Sequence, residues 1–300
     1  MEPFTTYEQN QKFSLAMSYG EGISFNNQSA MGLRFCFVYI ANGSGILTVD
    51  NRQIAYIAPC AFCINETEHI VIPAMEENQI KILYFHPNII NSMMNYVNVR
   101  NLQPDISVTF LQDVELIKFF LTSEETGLET FHLDPFSAKR IQLLLNRFCG
   151  QINDQSIPNW PCRSRSYVLE LLFFLDHLST SESYSSEQYL GQIDEEFYPI
   201  LLYIYQNYEQ KITITDMSEK FGINRTSLSL MFQKNLGESF VSYLNRIRIT
   251  SASNMLRDTL LPVSEIMDRT GFHDSAHFLR IFKKYNGISP SGYREKYCWM

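Results

Sequence analysis

Short apolar runs alternate with turn-forming residues along residues 13–86. β-Branched and aromatic side chains fill the runs, and the sequences Asn42-Gly43-Ser44-Gly45 and Ala58-Pro59 separate some of them. Runs of this length and spacing are typical of β-strands that close on a common core. This part of the chain therefore predicts a small barrel or sandwich.

The apolar period lengthens further along the chain. Residues 112–122, 136–150 and 165–178 carry apolar side chains at helical spacing. The third of these segments is apolar on nearly every side, which fits either a helix packed on the strand region or a dimerisation helix with a second apolar face against a partner. The Ser-rich residues 179–188 predict a flexible linker, and the pattern is helical from Glu195 onward.

The last 90 or so residues repeat themselves at a shift of 49 to 50 positions. The matching positions are Asp216, Met217, Gly222, Leu228, Phe232, Lys234, Gly237, Ser239 and Tyr243 in one copy and Glu265, Ile266, Gly271, Phe278, Phe282, Lys284, Gly287, Ser289 and Tyr293 in the other. Two copies of one supersecondary unit explain this most simply.

Each copy predicts a helix, a glycine-centred turn and a second helix. In the first copy, residues 213–216 form a capping-box pattern, Gly222 suits the left-handed turn, and Asn224 suits the N-cap of a helix that runs to about Lys234. In the second copy, Gly271 is the turn and Asp274 the N-cap. Such helix pairs present their second helix to the major groove of DNA.

A continuous helical pattern joins the two copies. It covers residues 239–257, so a helix there is about 28 Å long at about 1.5 Å per residue. One turn of DNA is about 34 Å. A rigid spacer of this length suits two recognition helices on successive major-groove faces of one side of the duplex.

Charge is unevenly distributed along the chain. The net charge is −8 overall, but residues 1–209 carry 11 Lys and Arg against 24 Asp and Glu, whereas residues 210–300 carry 13 against 8. The C-terminal part is therefore +5 and the remainder −13. Only the C-terminal part is suited to a polyanion, and the acidic part is expected to have another role.

Two features of the sequence bear on location. The N-terminus, Met1 to Thr6, has no basic stretch followed by an apolar run, which argues against a secretory signal. The longest apolar stretches, such as residues 171–175, are too short to span a bilayer. We therefore expect a cytoplasmic protein with no membrane partner.

The sequence does not favour an enzyme. Cys60 and Cys63 form a lone C-x-x-C with no second ligand pair, which predicts buried strand thiols and not a zinc site. The strand region holds only His69 and His86, far apart in sequence, whereas metal enzymes on small barrels need clustered ligands. Phosphate-loop and nucleophile motifs are absent. We expect no catalytic residue, no metal and no cofactor.

The second copy carries a specific signature. The stretch SASNMLRDTLLPVSEIMDRTGFHDSAHFLRIFKKYNGISPSGYR, residues 251–294, resembles the AraC/XylS family of transcriptional regulators. The fixed points of that signature are Ala252, Leu256, Ile266, Gly271-Phe272, Phe278, Arg280, Phe282-Lys283-Lys284, Gly287, Ser289-Pro290 and Tyr293-Arg294. The resemblance is specific over residues 210–296 and weaker over the N-terminal part, which resembles the cupin-like effector domain of many members.

The resemblance implies a fold and a set of partners. It implies an α+β chain with a cupin-like β-barrel in residues 1–100, a helical connector and dimerisation region in residues 101–185, and an all-α domain with two helix-turn-helix units in residues 192–300. The partners implied are double-stranded DNA, a second copy of the chain and RNA polymerase. A small-molecule effector at the N-terminal domain is a further possible partner.

The resemblance also assigns exposed positions on the recognition helices. The base-contacting candidates are Thr226, Ser229, Leu230, Ser275, Ala276, Leu279 and Arg280, and the phosphate-contacting candidates are Arg225, Lys283 and Lys284. Arginine grips guanine O6 and N7 with two hydrogen bonds, so Arg280 is expected to dominate specificity. The alternatives for Arg280 are a phosphate contact or an intramolecular ion pair.

Leu230 departs from the family pattern. It occupies a position where many relatives carry a long polar or basic residue, and leucine can touch a thymine methyl but cannot donate a hydrogen bond. Either the first unit binds DNA weakly or Leu230 is packed inside the domain. Leu279 raises the same question in the second unit.

Two further expectations concern ligands. Candidate wall residues of an effector pocket in the barrel are Tyr39, Phe62, His69 and Tyr84, although each also suits the core. The alternative function is an antiactivator that uses the same fold to bind a protein, which the apolar Leu230 and Leu279 favour. Salt separates the two functions, because DNA binding through several phosphates weakens steeply as salt rises.

Overall fold

The computed structural model describes residues 5–7, 14–27, 34–50, 52–102, 107–121, 128–179 and 194–298. The chain forms two compact units. The first contains Met1–His132 and Lys139–Tyr184, and the second contains Leu133–Ala138 and Ser185–Met300. The predicted linker lies, apart from Ser179, outside the described residues. In the described part of the chain, no helix is both long and apolar enough to cross a bilayer.

The first unit is built on antiparallel sheets. Its strands are β1 (Thr5–Thr6), β2 (Ser14–Leu15), β3 (Met17–Gly22), β4 (Phe25–Asn26), β5 (Phe35–Asn42), β6 (Ser44–Val49), β7 (Arg52–Ile57), β8 (Cys60–Ile64), β9 (Ile70–Ile72), β10 (Gln79–Phe85) and β11 (Glu129–His132). A five-stranded sheet has the order β11-β8-β5-β10-β3, a four-stranded sheet the order β4-β9-β6-β7, and β1 pairs with β2.

The register of the five-stranded sheet decides which side chains face the core. Val38 lies opposite Phe62 on β8 and Ile82 on β10, and all three belong to one buried cluster. That cluster also takes in Leu47 and Ile70 from the four-stranded sheet. Two antiparallel sheets therefore enclose one apolar core, which confirms the predicted strand-rich region.

The C-x-x-C pair lies on β8. Because side chains alternate along a strand, Cys60 and Cys63, three positions apart, point to opposite faces of the sheet. Both thiols are free and fully buried, and burial raises the pKa of each. The prediction of buried strand thiols is confirmed.

The first unit also contains helices, one of which packs on the outer face of the five-stranded sheet. The first unit contains α1 (Val108–Leu116), most of α2 (Pro135–Asn153) and α3 (Trp160–Ser179). The ring of Phe148 on α2 packs 6.4 Å from that of Tyr19 on β3. On α3, Leu172 and Leu175 are buried, but Phe173 is 58% exposed. A partner for α3 stays a prediction, with Phe173 as its exposed apolar residue.

The second unit is helical over most of its described residues, and its last helix ends at Tyr297. Its helices are α4 (Tyr198–Asn207), α5 (Ile214–Phe221), α6 (Arg225–Leu236), α7 (Phe240–Asp258), α8 (Val263–Arg269), α9 (Ser275–Asn286) and α10 (Pro290–Tyr297). The pairs α5–α6 and α8–α9 are the two predicted copies, and α7 is the predicted spacer. The strand-rich N-terminal region and the helical C-terminal region confirm the predicted fold class.

The two glycine turns differ in their surroundings. Gly222 and Gly271 both have a left-handed φ, +67° and +76°, which favours glycine. Open space surrounds Gly222, whereas a Cβ on Gly271 would lie 2.8 Å from the carbonyl oxygen of Tyr208 and 2.7 Å from that of Glu209. Arg248 holds this loop in place because its Nε donates to the Tyr208 oxygen, 2.8 Å away. Gly271 therefore meets a steric constraint that Gly222 does not.

We expect Gly271→Ala to destabilise its helix pair more than Gly222→Ala does. Both substitutions introduce the cost of a left-handed alanine, about 1 kcal/mol, and only the first adds overlap with backbone atoms, about 1–3 kcal/mol. Hydrogen exchange of peptides from α5–α6 and α8–α9 measures the opening free energy of each pair. Equal losses in the two variants would contradict the steric argument.

Candidate nucleic-acid interface

Local hydrogen bonds start the second helix of each copy. The Asn224 side chain accepts from the Ser227 amide at 2.9 Å, and the Asp274 carboxylate accepts from the His277 amide at 2.7 Å. Both residues are the predicted N-caps, so both are confirmed. Each cap satisfies an amide that the helix itself leaves without a partner.

The inward face of each second helix is apolar. Leu228 and Phe232 on α6 are fully buried, and Phe278 and Phe282 on α9 are 1% exposed or less. These pairs are spaced four residues apart, so they occupy one side of each helix. The opposite side of α6 and of α9 is consequently turned to solvent.

The residues predicted to contact DNA lie on these solvent sides. All ten are exposed: Arg225, Thr226, Ser229 and Leu230 on α6, and Ser275, Ala276, Leu279, Arg280, Lys283 and Lys284 on α9. Leu230 is 64% exposed and Leu279 47%. Leu230 is therefore not packed inside the domain, which removes one of the two explanations for its departure from the family pattern.

The cationic side chains of α9 are available to a ligand. Within the part of the chain that the structure describes, the side chains of Arg280 and Lys283 form no hydrogen bond or ion pair. Lys284 Nζ lies 5.9 Å from the centroid of the Tyr285 ring. The intramolecular ion pair considered for Arg280 is thus not formed, and its guanidinium is free to bind a partner.

The spacer helix α7 sets the distance between the copies. It has 19 residues, so it is about 28 Å long. The Tyr285 hydroxyl on α9 donates to the Ser242 carbonyl near the start of α7, 3.1 Å away. Arg246 on α7 donates twice to Glu238 Oε1, at 3.0 and 2.7 Å. The Tyr285 bond adds to the apolar packing that fixes α9 on the spacer, and the Arg246 bonds fix the residue that precedes α7.

Beside α6 the structure adds an ion pair that the sequence analysis did not predict. Lys234 Nζ lies 3.0 and 2.8 Å from the two carboxylate oxygens of Asp194. A shallow cleft along this side of α6 is lined by Asp194, Glu196, Leu230, Met231, Gln233 and Lys234. The repeat was the available signal for Lys234, because Lys234 occupies the position of Lys284. The sequence carried no signal for Asp194.

The four candidate effector contacts do not converge. Phe62 and Tyr84 belong to the core cluster between the two sheets. Tyr39 pairs with Lys81 and Ala61 on the opposite face of the same sheet. His69 is exposed. The proposed wall is therefore reduced to Phe62 and Tyr84, because alternation along β5 turns Tyr39 away from them.

A polar group that the sequence pattern missed lies beside Tyr84. Ser18 is 5% exposed and directly opposite Tyr84 in the register of β3 and β10. Its hydroxyl oxygen has no hydrogen-bond partner within the described residues. In the same residues, no three His, Cys, Asp or Glu side chains are grouped so as to hold a metal ion.

Known proteins resemble part of this chain. A family described as "Helix-turn-helix domain" matches residues 217–296. The chain is 31% identical over 145 residues to the uncharacterized HTH-type transcriptional regulator YdiP of Escherichia coli K12, which covers 48% of this chain and 46% of that protein. It is 34% identical over 105 residues to the lactose operon transcription activator of Staphylococcus xylosus, with 35% and 38% covered.

A solved structure also matches. The crystal structure of a probable AraC family transcriptional regulator from Rhodopseudomonas palustris is 26% identical to this chain, with 35% of this chain and 99% of that chain covered and a TM-score of 0.33. The chain spans less than half the length of the two curated relatives. The similarity to those relatives is therefore partial.

We expect Leu230→Gln to leave the free energy of unfolding within about 0.5 kcal/mol of that of the unsubstituted protein, because its side chain is exposed. The matched control is Leu228→Ala on the buried face, which should cost about 2–5 kcal/mol. Urea unfolding followed by circular dichroism measures both. A large loss in Leu230→Gln would show that Leu230 has a structural role.

Proposed function

We propose that this chain, whose residues 217–296 match a helix-turn-helix family, is an AraC/XylS-type transcriptional regulator that binds double-stranded DNA sequence-specifically. One observation carries the proposal. Two helix-turn-helix units, joined by one 19-residue helix, expose the predicted contact positions in residues 210–300, which carry a net charge of +5.

The two recognition helices have different roles in this proposal. α9 inserts into a major groove, where Arg280 donates to O6 and N7 of a guanine and Leu279 contacts an apolar base edge. α6 inserts into the next major groove on the same side, where Leu230 contacts a thymine methyl. Lys283 and Lys284 bind phosphates and set the register on the duplex.

The remaining regions have regulatory roles in the proposal. Residues 1–100 form the effector domain, residues 101–185 mediate dimerisation, and residues 192–300 bind DNA and contact RNA polymerase in the cytoplasm. A small molecule or partner that binds one arrangement of the dimer better shifts the population competent for DNA. The Ser18 hydroxyl beside Tyr84, which has no hydrogen-bond partner among the described residues, supports a polar ligand between the sheets. This role involves no catalysis and no cofactor.

The second candidate function is an antiactivator that binds a protein. The observation that favours it is the exposure of Leu230 and Leu279, since apolar side chains on an exposed helix face are typical of protein contacts. The cations of α9, exposed and without an acidic partner in the described part of the chain, favour DNA over this candidate.

Selection of genomic DNA fragments by the full-length protein tests the two functions. A DNA-binding regulator should enrich fragments that share a motif, and its affinity should fall steeply as salt rises. An antiactivator should enrich none. If nothing is enriched, repeating the selection with residues 190–300 separates an effector requirement from a protein-binding role, because only the first allows the shorter chain to select DNA.

We expect Arg280→Ala to relax the preference at one base pair of the motif, at a cost of about 1–3 kcal/mol for the cognate base. Lys283→Ala is the matched control, because it removes a cation one helical turn away that binds phosphate in the proposal. It should weaken binding to all sequences alike and reduce the salt slope by about 0.9. Selection on a library of randomised sites measures both effects. An unchanged preference in Arg280→Ala would refute its role as a base contact.

A further inference from the structure

The internal repeat contains a pair of lysines with different environments. Lys234 and Lys284 occupy the same position in the last turn of α6 and of α9. In the described part of the chain, Lys284 has no acidic partner, whereas Lys234 pairs with Asp194. The same lysine is thus available to an anion in the second copy and neutralised by a carboxylate in the first.

Several hydrogen bonds hold Asp194 on α6. Its carboxylate accepts two bonds from Lys234 Nζ and one from the Asn235 side-chain nitrogen, 3.2 Å away. Its backbone amide donates to the Asn235 side-chain oxygen at 2.7 Å. Asn235 is 6% exposed and also donates to the Met231 carbonyl, so it is fixed on the helix. These bonds therefore hold Asp194 in one defined position on α6.

The charge of Asp194 works against a polyanion at this place. The Lys234 ammonium and then the Asn235 amide lower the pKa of Asp194, so the carboxylate is ionised at neutral pH. Glu196 lines the same cleft beside Leu230. A phosphate that approached this end of α6 would meet two carboxylates and one paired lysine, whereas on α9 it would meet Lys283 and Lys284, which have no acidic partner among the described residues.

We propose that Lys234 is a further phosphate-binding residue and that Asp194 is a removable cover over it. While Asp194 is paired with Lys234, the first helix-turn-helix unit binds DNA more weakly. The inference rests on the proposed function. It accounts for a lysine that recurs in both copies of the repeat but is paired with a carboxylate in only one of them. DNA is the occupant that the repeat favours, because Lys284 is a predicted phosphate contact at the equivalent position.

The pair is suited to release. Lys234 and Asp194 have side-chain exposures of 69% and 41%, and ion pairs as exposed as this one are weak. The pair therefore opens at a modest cost, and while Asp194 is charged it competes with a DNA phosphate for Lys234. The expected gain from permanent release is correspondingly small, about two- to fivefold in affinity.

The test compares charge-matched variants of the full-length protein on one duplex, the fragment bound best in the genomic selection. Asp194→Asn should bind about two- to fivefold more tightly, and its salt slope should be steeper by about 0.9 because one more phosphate is neutralised. Glu196→Gln has the same net charge and leaves Lys234 paired, so its slope should not change. The double variant Asp194→Asn with Lys234→Gln restores the original net charge and should lose the gain.

Each outcome decides the inference. Equal shifts in Asp194→Asn and Glu196→Gln would mean that only overall charge matters, and would overturn the cover while leaving the DNA-binding function intact. The cover is also overturned if Asp194→Asn binds no more tightly, or if the double variant keeps the gain. Failure of every form, the unsubstituted protein included, to bind any duplex would overturn the inference together with the proposed function.

Discussion

The second unit depends on one helix that belongs to two cores. Near its start, α7 places Phe240 and Tyr243 against Phe232 of α6, with ring centroids 5.5 and 5.9 Å away. Near its end, Ala252 and Leu256 pack with the core of the second copy. Because each fully buried apolar side chain contributes about 1.5–3 kcal/mol, neither half of α7 can turn without a large loss. The relative orientation of α6 and α9 is thereby fixed.

This shared helix holds the exposed residues of α6 and α9 at a fixed spacing. Side chains on separate elements bind a repeating polymer together only if their spacing matches its repeat, and a rigid helix supplies such spacing without a ligand present. The two faces are not equivalent, however. Over the residues that the structure describes, the cations of α9 have no acidic partner, whereas the end of α6 is partly neutralised by a carboxylate from a residue 40 positions away in sequence. A repeated sequence has therefore produced two surfaces of unequal charge.

The sequence predicted the features that depend on local chemistry. The caps Asn224 and Asp274, the glycine turns and the span of α7 follow from residues within a few positions of each other, and each was confirmed. The sequence could not predict that Tyr39 and Phe62 lie on opposite faces of the sheet. β5 is buried on both faces, so its apolar run lacks the alternation of polar and apolar residues that would distinguish the two faces. The contact of Asp194 with Lys234 was equally hidden, since it joins positions that share no period.

The double role of α7 also bears on how such a domain can change over generations. The repeat is plain in the sequence, yet its copies are not interchangeable modules, because cutting the chain after α7 would strip the cover from Ala252, Met255 and Leu256. A gene rearrangement that kept one copy would leave an apolar helix face open to water and prone to aggregation. Once two copies share a helix, they are inherited as a pair, and divergence has to proceed by substitutions on the exposed faces of α6 and α9.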